Sequence, residues 1–255
     1  MTDFPSNHAV GGKAVYGASV GILMLDARFP RIPGDMGNAM TWPFPVHYKI
    51  VRGANPNLVV RNGAKGLLDQ FVEAGRELVE NGADGITTNC GFLSLFQDEL
   101  ADALGVPVAT SSLMQVPMIK TILPSDRKVG IVTISAETLT EKHLTAARVP
   151  LDTPVIGTEN RRHFTNAILD SHPSLDPEAS LLDMIDATRD LLEANPAIGA
   201  ILLECTNMVP YAADLRRIFG LPVFSIYSFV QWFQAGLMPQ AFDQKHYDTR
   251  PQHFR

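Results

Sequence analysis

Short apolar runs alternate with stretches of helical spacing along most of the chain, the order expected of strands and helices in turn. Residues 14–24 form the first run. Its β-branched and apolar side chains predict a buried strand, and the glycines at 12, 17 and 21 predict close backbone approach or a tight turn. Their spacing does not fit a dinucleotide fingerprint. Between 30 and 56 the pattern breaks. Four prolines and two glycines between 30 and 45 forbid a continuous helix and leave one short strand at 46–51. Connections longer than ~12–15 residues in compact domains are functional or disordered. Trp42, Phe44 and Tyr48 favour an ordered cover near a site.

Helical spacing then runs over 64–81, where Leu67, Leu68, Phe71, Val72, Leu78 and Val79 share a face and Asn81-Gly82 supplies a stop. A strand at 84–88 precedes Cys90, and a helix with Phe92, Leu93, Phe96, Leu100 and Leu104 on one face ends at Gly105. A strand at 106–110 and an apolar helix at 113–122 complete a first unit. The second begins with a strand at 128–134 and a helix containing Leu139, His143, Leu144 and Ala147. A strand at 154–156, an exposed connection at 166–176 and a helix at 179–194 follow. The strand at 200–204 delivers Cys205; the next helix closes at Gly220, a last strand covers 222–226, and an aromatic-rich helix holds Phe229, Trp232 and Phe233. That helix reads as domain or oligomer packing. The fold class is therefore α/β, two pseudo-symmetric domains with mostly parallel sheets and a cleft between them. The first covers 1–122, the second 123–225, and the helix and tail at 226–255 pack back on the first domain.

Composition narrows the function. A formal charge of -6 and the absence of a basic stripe give no reason for a nucleic-acid partner. The first dozen residues lack the basic-then-apolar order of a secretory signal, and no apolar run reaches ~18 residues, so a cytoplasmic protein without membrane contact is expected. The two cysteines are either free thiols or one disulfide. They are too few for a zinc or iron-sulfur centre without convergent histidines, so no metal is expected; His246 and His253 in the tail read as solvent-facing.

An internal echo connects the two cysteines. Cys90 and Cys205 each follow an apolar strand, and each is followed 15 residues later by glycine and then by an apolar residue, proline and valine. Duplication of one unit explains this, and it places both thiols beyond the carboxyl ends of equivalent strands. There, unpaired amides and the helix dipole favour the thiolate, drawing its pKa from about 8.5 toward neutrality. Asn89, Thr206 and Asn207 add short polar groups suited to binding oxygens. Ser19 either faces a ligand or ends an ordinary strand; Arg28 and Arg31 either meet a carboxylate or lie on the surface; Glu204 either binds an ammonium group or orients a substrate, or else caps a helix or pairs with an arginine.

The segments around Cys90 and Cys205, with the duplicated layout, resemble the aspartate/glutamate/hydantoin racemase superfamily over nearly the whole chain. The resemblance implies a cofactor-independent isomerase in which Cys90 and Cys205 act as catalytic acid and base on opposite faces of a small, carboxylate-bearing substrate. It assigns substrate binding to Asn89, Ser135, Thr206 and Asn207, beside which Ser19 and Gly91 are counted as substrate-binding candidates, and it makes a homodimer plausible. The sequence departs from glutamate racemases at Gly17-Ala18-Ser19, Cys90-Gly91-Phe92 and Asn207, so another amino acid, a hydantoin or an aspartate-like acid is implied. The alternatives are a maleate-isomerase-like or decarboxylase-like enzyme of the same fold, or a non-enzymatic small-acid binding protein.

Overall fold

Strand β1 (Val20–Leu25) is buried at every position, and it forms the interior of a parallel sheet with β2 (Val46–Val51), β3 (Gly85–Thr88) and β4 (Val108–Ala109) in the order β2-β1-β3-β4. A second parallel sheet repeats this topology. Its strands β5 (Lys128–Thr133), β6 (Val155–Gly157), β7 (Ile198–Leu203) and β8 (Val223–Phe224) lie in the order β6-β5-β7-β8. The molecule is thus two pseudo-symmetric α/β units. The computed structural model describes residues 11–242, so the expectations for His246 and His253 fall outside the described residues.

Nine α-helices connect and cover the strands among the described residues: α1 (Pro56–Asn62), α2 (Leu68–Glu80), α3 (Gln97–Leu104), α4 (Val116–Ile122), α5 (Glu141–Ala146), α6 (Phe164–Leu169), α7 (Pro177–Ala194), α8 (Ala212–Phe219) and α9 (Ile226–Leu237). The echo in the sequence has a direct structural counterpart. Each cysteine caps a six-residue 3-10 turn, Gly91–Phe96 or Thr206–Tyr211, that runs into an eight-residue helix, α3 or α8. Each helix is closed by a glycine in the left-handed region, Gly105 at φ 65° and Gly220 at φ 71°, where a side chain would be strained. The shared spacing is therefore the length of one strand-to-strand connection.

Three expectations shift. The first strand begins at Val20, not residue 14, because β3 supplies partners only from there: Val20 is opposite Gly85 and Leu23 opposite Thr88. Helix α1, capped by the Asn55 side chain on the Leu58 N–H, follows the irregular segment and covers 56–62, where the sequence pattern predicts no element. The connection at 166–176 is not simply exposed, since α6 buries Phe164, Ile168 and Leu169. The start of α6 is held from a distance: the buried Asp183 carboxylate of α7 accepts the N–H groups of Arg162, His163 and Phe164. No local cap signals it.

The segment before β2 is ordered by its own polar contacts. Trp42 Nε1 donates to Met36 O and to the Tyr48 hydroxyl, and the Trp42 ring stacks between Phe44 and Tyr227. Helix α9 buries Ile226, Phe229, Val230 and Phe233 against Val20, Ile22, Met24 and Ala109 of the first sheet. A continuous apolar core joins the two units, including Leu23 and Ile86 of one and Ile131 and Leu202 of the other. Among the described residues, no helix is long and apolar enough to cross a membrane.

Candidate functional site

Strand β3 ends at Thr88 and β7 at Leu203, so Asn89-Cys90 and Glu204-Cys205 occupy matching places at the carboxyl ends of the two sheets. The chains there are stitched together. Thr206 Oγ1 donates to Asn89 O at 2.6 Å, and Ser112 Oγ donates to Leu203 O at 2.9 Å. One cavity lies between them, lined by Asn89, Cys90, Gly91, Phe92, Glu204, Cys205 and Asn207 with an apolar cover that includes Phe29, Ile134 and Leu169. It is narrow and largely enclosed, about 20 Å³. Roomier clefts of about 560 and 550 Å³ open elsewhere, one around Lys49 and Glu77 and one beside Met118 and Trp232, but neither contains a thiol.

Both cysteines are free and buried. Backbone N–H groups of Phe92 and Leu93 point at the Cys90 sulfur, and that of Asn207 points at Cys205, as the start of a helical turn provides. Burial nevertheless dominates. It pushes the Cys90 thiol up to about 12, with the neighbouring Glu204 carboxyl adding to the rise, and holds Cys205 well above the usual thiol value for the same reasons. The expected drop toward neutrality is therefore overturned: two or three amides do not offset removal of a thiolate from water in an apolar cavity. Cys205 Sγ also donates to Asn207 Oδ1 at 3.6 Å, which favours the protonated thiol.

Glu204 is the pseudo-symmetric counterpart of Asn89. Asn89 N–H donates to Leu23 O of β1 and Glu204 N–H to Val132 O of β5. Asn89 Oδ1 accepts the Leu25 N–H at 2.7 Å, and the Glu204 carboxyl accepts that of Ile134 and, through Oε2, the Thr133 hydroxyl at 2.6 Å. Glu204 Oε1 is buried and has no hydrogen-bond partner among the described residues. Desolvation raises the Glu204 pKa from 4.5 to about 7. Neither helix capping nor pairing with an arginine accounts for it.

Asn207 is fixed from the other side. Its Nδ2 donates to the buried Asp35 carboxylate, which also accepts Arg31 Nη1 at 2.9 Å and the Gly37 N–H at 2.7 Å. Arg31 lies 4.6 Å from the centroid of Phe29, a ring of the cavity wall. The 3-10 turn beginning at Thr206 is thus braced by the segment preceding β2.

Of the residues singled out from sequence, Cys90, Cys205, Asn89, Gly91, Asn207 and Glu204 meet at this cavity, with Thr206 bonded across it. Three others do not. Ser19 lies at the amino end of β1, where its carbonyl accepts the N–H groups of Asp84 and Gly85, so it is at the far end of the sheet from the cysteines. Ser135 follows β5 and its Oγ accepts the Thr138 N–H. Arg28 is exposed, its N–H bonded to Ser171 Oγ. Arg31 reaches the site through Asp35. Sequence reasoning missed Asp35, Phe29 and Thr133. Only Asp35 left a trace, as a carboxylate inside an unusually long proline-rich connection. Among the described residues no group of three or more His, Cys, Asp or Glu side chains is arranged to hold a metal ion.

No protein-family model matches the chain. It is 28% identical over 229 residues to a dimethylsulfoniopropionate lyase from Durusdinium sp. clade D, covering 87% of this chain and 75% of that protein. It is likewise 28% identical over 231 residues to dimethylsulfoniopropionate lyase 6 from Emiliania huxleyi, covering 86% of this chain but only 60% of that longer protein. Among solved structures, a variant of arylmalonate decarboxylase in its sulfate-associated form superposes with a TM-score of 0.57 at 18% identity, covering 86% of this chain and 92% of that one. A glutamate racemase isoform from Bacillus anthracis superposes with a TM-score of 0.54 at 14% identity, covering 86% and 82%. The expected isomerase class is corrected by these findings, because the extended sequence relatives carry the name of lyases, not of racemases. By its architecture, the chain shares the two-unit α/β fold of these solved structures, with two buried cysteines at the junction of its two units.

Proposed function

We propose that the chain is a carbon–sulfur lyase that expels a neutral sulfide from a small carboxylate-bearing sulfonium, with dimethylsulfoniopropionate as the substrate to test first. The observation that carries this reading is the pair of buried thiols at one cavity in a chain whose relatives over 84–87% of its length are named dimethylsulfoniopropionate lyases. The chemistry needs one base. A thiolate of the Cys90 and Cys205 pair removes the proton from the carbon next to the carboxylate. The electron pair of that C–H bond becomes the new C=C bond, and the carbon–sulfur bond breaks with its electrons going to sulfur. Dimethyl sulfide and acrylate result, and the proton on the cysteine returns to solvent.

The high thiol pKa values suit this substrate. A narrow, largely enclosed apolar cavity opposes a thiolate, whereas a sulfonium within ~4–6 Å favours one. Ionisation of the base is thereby tied to occupancy. Charge building on the carboxylate in the transition state is met by the side-chain amide of Asn89, whose Oδ1 is already held by Leu25. The test is headspace chromatography of dimethyl sulfide and proton NMR of acrylate from purified protein. Release in equal amounts, lost on Cys90→Ser or Cys205→Ser with the fold intact, supports the reading; no release from the native protein overturns it.

A further inference from the structure

The geometry points to Glu204 as the group that selects a substrate with a fixed positive charge: its carboxylate faces the onium centre of the bound acid. For its substrate class this rests on the proposed lyase reading, and it adds a recognition residue to it. Glu204 is fully buried, with one carboxyl oxygen held by Thr133 and the other, Oε1, left without a protein partner. That oxygen is directed across the cavity onto residue 91. A Cβ built on Gly91 would lie 2.0 Å from it, so the bare backbone there is what makes room for the carboxyl. A buried oxygen with no donor needs either a proton or a cation. No side chain donates to it, although Asn89 and Asn207 also line the cavity, and the rest of the wall, including Phe29, Phe92, Ile134, Ile168 and Leu169, is apolar. Two of these are aromatic rings, whose faces attract a cation that carries no hydrogen-bond donor of its own. A sulfonium or quaternary ammonium meets that description; a primary ammonium would give one N–H to Oε1 and leave its others facing the rings.

The second unit carries this acid where the first carries Asn89 in the same backbone environment. The cavity is therefore polarised, with a neutral amide on one side and an ionisable carboxyl on the other. Substrate lies across it with its carboxylate toward Asn89 and its onium toward Glu204. Other titratable or charged groups near the carboxyl are Cys90 and Cys205, Arg31 and Asp35 of the segment before β2, and His143, whose ring meets the edge of Phe92 at 4.9 Å. Burial pushes the Cys90 thiol up to about 12 and lowers His143 to about 4, whereas Glu204 titrates at about 7. Before a ligand binds, neither Cys90 nor His143 changes charge between pH 5.5 and 8.5, so Glu204 sets the charge change of the empty cavity in that window.

A matched pair of unreactive acids tests this by calorimetric titration of the full chain: 3-(trimethylammonio)propionate and its uncharged isostere 4,4-dimethylpentanoate. The native protein is expected to prefer the onium roughly tenfold or more at pH 8.5, with the preference shrinking several-fold at pH 5.5, where the carboxyl is protonated. Glu204→Gln is expected to bind the two acids about equally at both pH values. An unchanged preference in that variant, or no preference in the native protein at pH 8.5, overturns the assignment. If the variant does not fold, the pH dependence in the native protein decides alone, and a flat preference overturns it. Binding separates this inference from the reaction: onium preference without dimethyl sulfide release sinks the lyase reading only, and release without onium preference sinks the role of Glu204 only.

Discussion

Gly91→Ala is the most demanding small perturbation of this site. The added Cβ would stand 2.0 Å from Glu204 Oε1 and 2.7 Å from Glu204 O, where carbon and oxygen need more than 3 Å. The carboxyl cannot swing away freely, because Oε2 accepts the Thr133 hydroxyl at 2.6 Å and the residue is fully buried. Overpacking of this kind costs about 1–3 kcal/mol, and a clash with both side chain and backbone belongs at the upper end. For a chain of this length that corresponds to a melting temperature lower by roughly 6–12 °C in scanning calorimetry. A double-mutant cycle locates the cause. In a Glu204→Ala background the side-chain clash is gone and the backbone contact remains, so the same substitution is expected to cost about 1 kcal/mol, a coupling of about 2 kcal/mol. Strictly additive costs, or a Gly91→Ala protein of native stability, would refute the packing of Glu204 on residue 91.

Three further outcomes are expected. Thr133→Val leaves a buried carboxyl oxygen without its donor and lowers stability by about 1–3 kcal/mol in urea denaturation; an unchanged midpoint would contradict the bond. Asp35→Ala strands Arg31 and Asn207 together, so a loss of about 3–5 kcal/mol and a fall in turnover are expected, and native stability would show that the bracing is unimportant. The third concerns pH. Glu204 keeps its proton in the folded protein up to about 7 but in the unfolded chain only to 4.5, so its contribution to stability, about 3 kcal/mol, is full below 4.5 and lost as pH rises to about 7. His143, lowered from 6.5 to about 4 by burial, acts in the opposite sense: its contribution is full above 6.5 and lost as pH falls to about 4. The two slopes nearly cancel between 4.5 and 6.5 in the native protein, whereas Glu204→Gln exposes the His143 slope, stability rising with pH there. A flat profile in that variant would contradict the assignment.

What the sequence made legible was whatever repeats locally. The two parallel units were readable because strand, cysteine, helix and left-handed glycine recur at one spacing, and that spacing is a fixed backbone length. The place of Cys90 and Cys205 at strand carboxyl ends followed from it. The thiol electrostatics did not, because helix amides are a local feature whereas burial is set by Phe29, Ile134 and Leu169 from distant segments. Ser19 was misplaced for a related reason: the apolar run begins at residue 14, but β3 fixes where pairing starts. Helix α6 was hidden because its cap, Asp183, lies about 20 residues downstream. Asp35 and Thr133 matter only through Asn207 and Glu204, contacts that no spacing along the chain encodes.

The central claim, that a thiol in this cavity drives elimination, is tested most directly by the double variant Cys90→Ser/Cys205→Ser given dimethylsulfoniopropionate beside the native protein. The account predicts equal yields of dimethyl sulfide and acrylate from the native protein and at least about 10³-fold less from a folded double variant. Cleavage by the double variant at the native rate, or none by either protein, would contradict it.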